Sequence, residues 1–263
     1  MLPLADWPAA ARRGIVGVLT DIDDTLTTDS AITADALEAL GTLKAAGLHV
    51  VPITGRPVGW SEPFALRWPV DAIVAENGAV ALLPGPGGTL AKKYQQDPAT
   101  RAANFVRMQA VAQRVLAEVP GTLLATDSAG RETDIAIDHS EYTHLPPETI
   151  ARVVALLRGE GMNATVSSIH INAWYGGHDK LAGARWIVRE LWRRDLDAEI
   201  DRWVYIGDST NDQKMFERFP HSVGVANIAR FVPMLAHLPR YLTASARGAG
   251  FAEVAHALTS VRA

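Results

Sequence analysis

Cysteine is absent from the 263 residues of the chain. That excludes a disulfide framework and any thiolate-held metal, leaving oxygen and nitrogen as the ligand atoms for a metal site. An excess of one charge is also missing: 25 Lys and Arg stand against 29 Asp and Glu, a net charge of −4, and no run of basic residues occurs. Nucleic-acid recognition needs a concentrated basic face, so no nucleic-acid partner is expected. Long apolar runs are lacking too. No stretch matches the roughly 20 residues that cross a bilayer, and the opening MLPLADWPAAARRG has no continuous apolar core of the secretory kind. The expectation is a cytoplasmic protein with no membrane partner.

What is present is ample apolar material, 48% of the chain, enough for one large α/β domain or two smaller ones. IVGVLT (15–20) reads as a short buried strand and ITADALEALGTLKAAG as an amphipathic helix stopped by Gly47. LHVVPIT (48–54) and VDAIVAE (70–76) read as two more strands, so the opening has the alternation of a parallel sheet with crossovers. After Asn77-Gly78 the pattern changes. AVALL and TLAKKY flank PGPGG as a hairpin; that glycine-rich stretch lacks the Lys-Ser/Thr and following helix of a phosphate loop. Then come a long helix near 99–118, paired strands TLLATD and RETDIAID, a helix in PPETIARVVALLRGEG, and strand alternation in NATVSSIHINAW. Residues 84–176 therefore read as an α+β module inserted into a domain made of 1–83 and 177–263. From Lys180 helix and strand resume, through DRWVYIG and SVGVA.

Four stretches carry chemistry. GVLTDIDDTLT places Asp21, Asp23 and Asp24 directly after a buried strand, where ligand sites of open α/β sheets gather. Three adjacent acids need a compensating cation or proton. A calcium loop would want Gly and Glu where Leu26 and Ile32 stand, so that reading fails. Thr54-Gly55-Arg56 follows the next strand; a hydroxyl beside glycine suits an anion, and equally a plain turn. Lys180 opens a helix, where a cation is disfavoured without an anionic neighbour, although by itself it reads as a surface lysine. Gly207-Asp208-Ser209-Thr210-Asn211-Asp212 ends another strand; alone it is an N-capping turn, and with the first motif it supplies hard oxygen ligands for magnesium.

In this order the stretches DIDDT, ITGR, Lys180 and GDSTND resemble the haloacid dehalogenase-like hydrolase superfamily. The insert between the second and third motifs, together with NGA at 77–79, resembles its type IIB branch of sugar phosphatases, sucrose-phosphatase-like enzymes and phosphomannomutases. The resemblance implies a Rossmann-like parallel-sheet core with an α+β cap, and a Mg2+-dependent phosphatase acting on a small phosphorylated metabolite. It makes Asp21 the nucleophile that forms an aspartyl-phosphate and Asp23 the acid and base. Mg2+ would be held by Asp21, the Asp23 carbonyl and Asp208. Thr54, Gly55 and Lys180 would bind phosphate, assisted by Asn211, with Asp212 orienting Lys180 or holding a metal-bound water. Many members of the branch carry Gly where Asp24 stands, and no catalytic role falls to Asp24.

For the leaving group, alternation along 167–172 puts Ser168, His170 and Asn172 on one polar face, opposite Ile169 and Ile171. His170 and Asn172 are expected substrate contacts, with Arg56 and Glu76 as further candidates; Arg56 reads equally as an ion pair, Glu76 as a turn former, and the polar face as solvated surface. A phosphomutase using the same aspartyl-phosphate and a phospho-ligand-binding protein without turnover are the competing functions.

Overall fold

The computed structural model describes residues 1–262. Short apolar segments ending in polar turns build the main sheet. After β1 (Leu2–Pro3) and α1 (Ala9–Gly14) come β2 (Gly17–Thr20), the hairpin β3 (Thr27–Thr28) and β4 (Ala31–Ile32), α2 (Ala34–Ala45), β5 (His49–Pro52) and α3 (Val58–Ala65). Next are β6 (Ile73–Ala75), β7 (Val80–Pro84), β8 (Leu90–Tyr94), α4 (Pro98–Glu118), β9 (Leu123–Leu124), β10 (Ile135–Asp138), α5 (Pro147–Gly159), β11 (Asn163–Val166) and β12 (His170–Trp174). The chain ends with α6 (Lys180–Trp192), β13 (Trp203–Gly207), α7 (Gln213–Arg218), β14 (His221–Gly224), β15 (Tyr241–Leu242) and α8 (Arg247–Thr259).

Six strands form a parallel sheet in the order β1-β15-β14-β13-β2-β5. Strand β2 is buried along its whole length and lies between β13 and β5, with Thr20 opposite both Ile206 and Pro52. The ends of these three neighbours therefore meet at one edge, which brings Asp21, Thr54 and Asp208 to the same place. Apolar side chains on both faces make two core layers, one around Val18, Val50 and Phe251, the other around Leu19, Ile187 and Trp203. The short strands β1 and β15 escape a periodicity reading because two residues carry no period.

The segment 70–76 departs from its expected place. Only Ile73–Ala75 is strand, and it joins the parallel sheet through the single bridge Ile53–Val74. Otherwise β6 pairs antiparallel with β7, and β7 with β8. This hairpin straddles position 84, so sheet pairing carries the β6 side as far as Tyr94. The turn between β6 and β7 is left-handed at three successive residues, with φ of 49° at Glu76, 54° at Asn77 and 105° at Gly78. At Gly78 this has a packing reason as well. A Cβ there would stand 2.2 Å from the Asp179 carbonyl oxygen, and one at Gly183 would stand 2.6 Å from Gly78 Cα, so α6 lies backbone to backbone on the turn.

Residues 98–174 build a four-stranded antiparallel sheet, β11-β12-β10-β9. Its alternation decides the two faces. Ile135, Ile137, Ile171 and Ala173 pack with Met108, Val115, Val153 and Leu157 from α4 and α5, while Asp138, His170 and Asn172 point the other way, in register on β10 and β12. Strand alternation does not run unbroken from 163 to 174. Ser167 Oγ accepts from His170 N at 3.0 Å, and Ser167 N donates to the His170 carbonyl at 2.8 Å, closing a turn that takes Ser168 and Ile169 off the strand.

Candidate active site

The backbone after β2 folds tightly around one oxygen: the Ile22 carbonyl accepts from the N–H groups of Thr25, Leu26 and Thr27. This turn points the three acids in three directions. Asp21, buried, takes Lys180 Nζ at 2.7 Å. Asp23 takes Arg56 Nε at 2.8 Å. Asp24 sits at φ 55° and takes Arg230 Nη2 at 2.7 Å and Arg247 Nε at 2.9 Å. An aspartate tolerates this left-handed backbone better than most residues, and glycine better still.

Lys180 lies at the start of α6, capped by Asp179. Its ammonium is buried and reaches Asp21 and Asp212 at 2.7 Å each and Asn211 Oδ1 at 3.4 Å. Burial alone would lower its pKa; the two carboxylates outweigh burial and raise it, so the group is an ammonium. Asp212 is saturated: one oxygen accepts from Lys180 and the Tyr205 hydroxyl, the other from the N–H groups of Asp208 and Ser209 at 3.0 and 3.2 Å. Gly207 makes room for this, since a Cβ there would lie 2.4 Å from Asp212 Oδ2.

Asp208 is the contrast. Asn227 Nδ2 donates to its Oδ2 at 3.1 Å, while Oδ1 is buried with no partner among the described residues. Burial, followed by the charges of Asp21 and Asp212, pushes the Asp208 pKa well above the usual carboxylate range; burial likewise lifts Asp21 to about 7 against the pull of Lys180. Carboxylate oxygens of Asp21, Asp208 and Asp212 lie within 4.8 Å of one another. An unpartnered buried oxygen among crowded hard donors suits a divalent cation such as Mg2+.

Thr54 is fully buried at the end of the neighbouring strand, and its hydroxyl accepts from Arg56 N at 3.0 Å. The Gly55 carbonyl takes Arg131 Nη1 at 3.0 Å and Asn172 Nδ2 at 3.2 Å. Arg56, expected to meet substrate, has all three nitrogens on carboxylates: Asp23, Asp127 at 3.3 Å and Glu141 at 2.8 Å. His170 and Asn172 are likewise buried rather than open to a cleft. His170 Nε2 meets Glu141 at 2.8 Å, and Asn172 donates to Asp134 at 3.2 Å. The physical reason is charge: a polar sheet face brought against the motif loops must pair its acids. Glu76 serves the same junction. Buried completely, it accepts from Val58 N at 3.0 Å, from the N–H groups of Glu132 and Thr133, and from the Thr133 hydroxyl. A cavity of about 610 Å³ runs along the seam, lined by Asn163, Thr165, Trp174, His178, Lys180 and Asn211 among others.

Sequence reasoning missed Asp127, Arg131, Asp134 and Glu141, which flank the apolar IAID strand, and the pair Asn227 and Arg230. The latter had a signal. GVANIAR follows β14 at the same sheet edge as the recognised motifs.

Comparison with known proteins agrees with this architecture. Residues 18–106 match the family described as haloacid dehalogenase-like hydrolase. The fold extends that likeness to nearly the whole chain. A protein of Thermoplasma acidophilum aligns at 17% identity and TM-score 0.70, over 94% of this chain and 99% of its own. The sucrose-phosphatase of Synechocystis, solved with sucrose and phosphate, aligns at 15% and 0.66, over 94% and 98%. The C-terminal domain of the C. albicans trehalose-6-phosphate phosphatase aligns at 14% and 0.68, over 99% and 98%. No curated protein sequence matches. Over residues 18–106 the chain is thus similar to the haloacid dehalogenase-like hydrolases, and over nearly its whole length it shares the fold of these solved structures.

Proposed function

We propose that the chain is a Mg2+-dependent phosphatase that hydrolyses the phosphate monoester of a small metabolite, a sugar phosphate being the favoured class, with 98–174 as its cap. The observation that carries this reading is the division of labour between two acids of one turn: Asp21 stands with Lys180 beside the unpartnered Asp208, and Asp23 stands apart on Arg56.

Asp21 attacks phosphorus, and the bond to the leaving oxygen breaks as Asp23 gives that oxygen a proton. Arg56 fixes Oδ1 of Asp23, which leaves Oδ2 for the transfer. Asp23, now a carboxylate, takes a proton from water as the water attacks the aspartyl-phosphate, releasing inorganic phosphate and restoring Asp21. Lys180, held by Asp212, and Thr54 bind the phosphoryl oxygens through both steps. Asp21, Asp208 and the Asp23 carbonyl would hold Mg2+, whose charge offsets that of the phosphate facing Asp21. Two of the structural neighbours are phosphatases of sugar phosphates by name, which supports the substrate class.

The test is phosphate release from a panel of phosphorylated metabolites with Mg2+. Turnover of one sugar phosphate or a few is expected. A flat profile overturns the reading, and isomerisation of a monophosphate without phosphate release replaces it by a phosphomutase.

A further inference from the structure

Asp24 has no part in the chemistry just described, yet it is the most heavily tied residue of its turn. Each carboxylate oxygen holds an arginine, Arg247 on Oδ1 and Arg230 on Oδ2. Its carbonyl accepts from Asn227 Nδ2 at 3.0 Å, the same amide that donates to Asp208 Oδ2, and Asn227 Oδ1 in turn accepts from Arg247 N at 2.9 Å. All this is built on a backbone conformation that glycine would adopt with less strain.

The position of Arg230 gives the arrangement a purpose. Its Nη2 is 2.7 Å from Asp24 and 3.7 Å from Asp208 Oδ2. A direct guanidinium–carboxylate bond spans about 2.8 Å, so Arg230 stops roughly 1 Å short of Asp208. Its side chain is half exposed, with the guanidinium over the Phe231 ring at 4.7 Å, and Asp24 is the carboxylate that holds it there. Asp208 is a buried carboxylate short of positive charge, and an arginine on it would fill the role open to a cation.

We infer that Asp24 guards the cation site: it holds Arg230 off Asp208, so that a divalent ion and not an arginine neutralises the acids. Asn227 completes the device by engaging Oδ2 and leaving Oδ1 presented. Asp24 and Asn227 are positioning residues, and the inference rests on the magnesium site proposed above.

The test is Mg2+ binding to the purified protein without substrate, by calorimetry, for wild type, Asp24→Gly, Arg230→Gln and the double variant. Glycine suits φ 55°; Asp24→Asn, which also tolerates it, is run in parallel against misfolding, with circular dichroism on each. Asp24→Gly should weaken Mg2+ binding about tenfold, Arg230→Gln alone should change it less than about twofold, and the double variant should return close to wild type, as a coupled pair does. Asp24→Gly and Asp24→Asn binding like wild type overturns the inference. So does a double variant as weak as Asp24→Gly, or Arg230→Gln tightening binding equally whether or not Asp24 is present, which is the signature of simple charge addition. Wild type that binds no Mg2+ overturns the magnesium site itself, a different result from any of these.

Discussion

Arg56 Nε donates to Asp23 Oδ1 at 2.8 Å, and the other two nitrogens of the same guanidinium hold Asp127 and Glu141 across the junction. One side chain thus joins the acid of the first motif to the inserted sheet. Arg56→Ala should destabilise the fold by about 3 kcal/mol, because it leaves Asp23 without its partner and takes one of two partners from Asp127 and from Glu141. Arg56→Lys should recover only part of this, since an ammonium cannot reproduce a three-way fork. Urea unfolding of the three proteins measures it; equal midpoints would show that the junction does not depend on Arg56.

Asp21→Asn should lower phosphate release by at least about a thousandfold while the circular dichroism stays that of wild type. The substitution removes one of three crowded charges, so folding should not suffer. Chelation of divalent ions should abolish wild-type release, and Mg2+ should restore it. Turnover at the wild-type rate in Asp21→Asn would refute the nucleophile, and a rate indifferent to chelator would refute the metal.

Glu76→Ala should cost about 3 kcal/mol or more, because several buried N–H groups on both sides of the junction lose their shared acceptor. Limited proteolysis should then cut near 126–133 sooner than in wild type. A protection pattern unchanged from wild type would count against Glu76 as the tie.

His178 is buried against Trp174 at 5.5 Å between ring centroids, and neither ring nitrogen has a partner among the described residues. Burial lowers its pKa from 6.5 to about 4. The unfolded chain takes up this proton first as pH falls. Stability from the neutral ring is therefore complete above pH 6.5 and is lost between there and about 4. The loss amounts to about 3 kcal/mol at most. His178→Phe keeps the ring, removes the titration, and should hold its stability at pH 4.5 better than wild type does. Parallel losses in denaturant titrations at pH 7 and 4.5 would exclude the effect.

The parallel sheet and the motif residues were legible in the sequence because both are local. A buried strand is a short apolar run, and an acid or a hydroxyl after it marks the sheet edge, which is where Asp21, Thr54 and Asp208 come together. What decides the junction is long-range. Asp134 and Asn172, like Asp127 and Arg56, lie far apart in sequence, and nothing in RETD or SIHIN says which acid will meet which donor. The alternation of His170 and Asn172 correctly gave their shared face, but not that the face would be covered. Asp24 was unreadable for another reason: its meaning lies in the 3.7 Å that separates Arg230 from Asp208, a distance no pattern encodes.

The left-handed turn at 76–78 has a mechanical consequence. Its first residue grips the insert through the Glu76 carboxylate, and its last supports the helix that begins with Lys180, with no side chain between the two backbones to absorb a shift. Three residues are thus a common bearing for the insert and for α6, and a shift of one would reach the other through backbone contact alone.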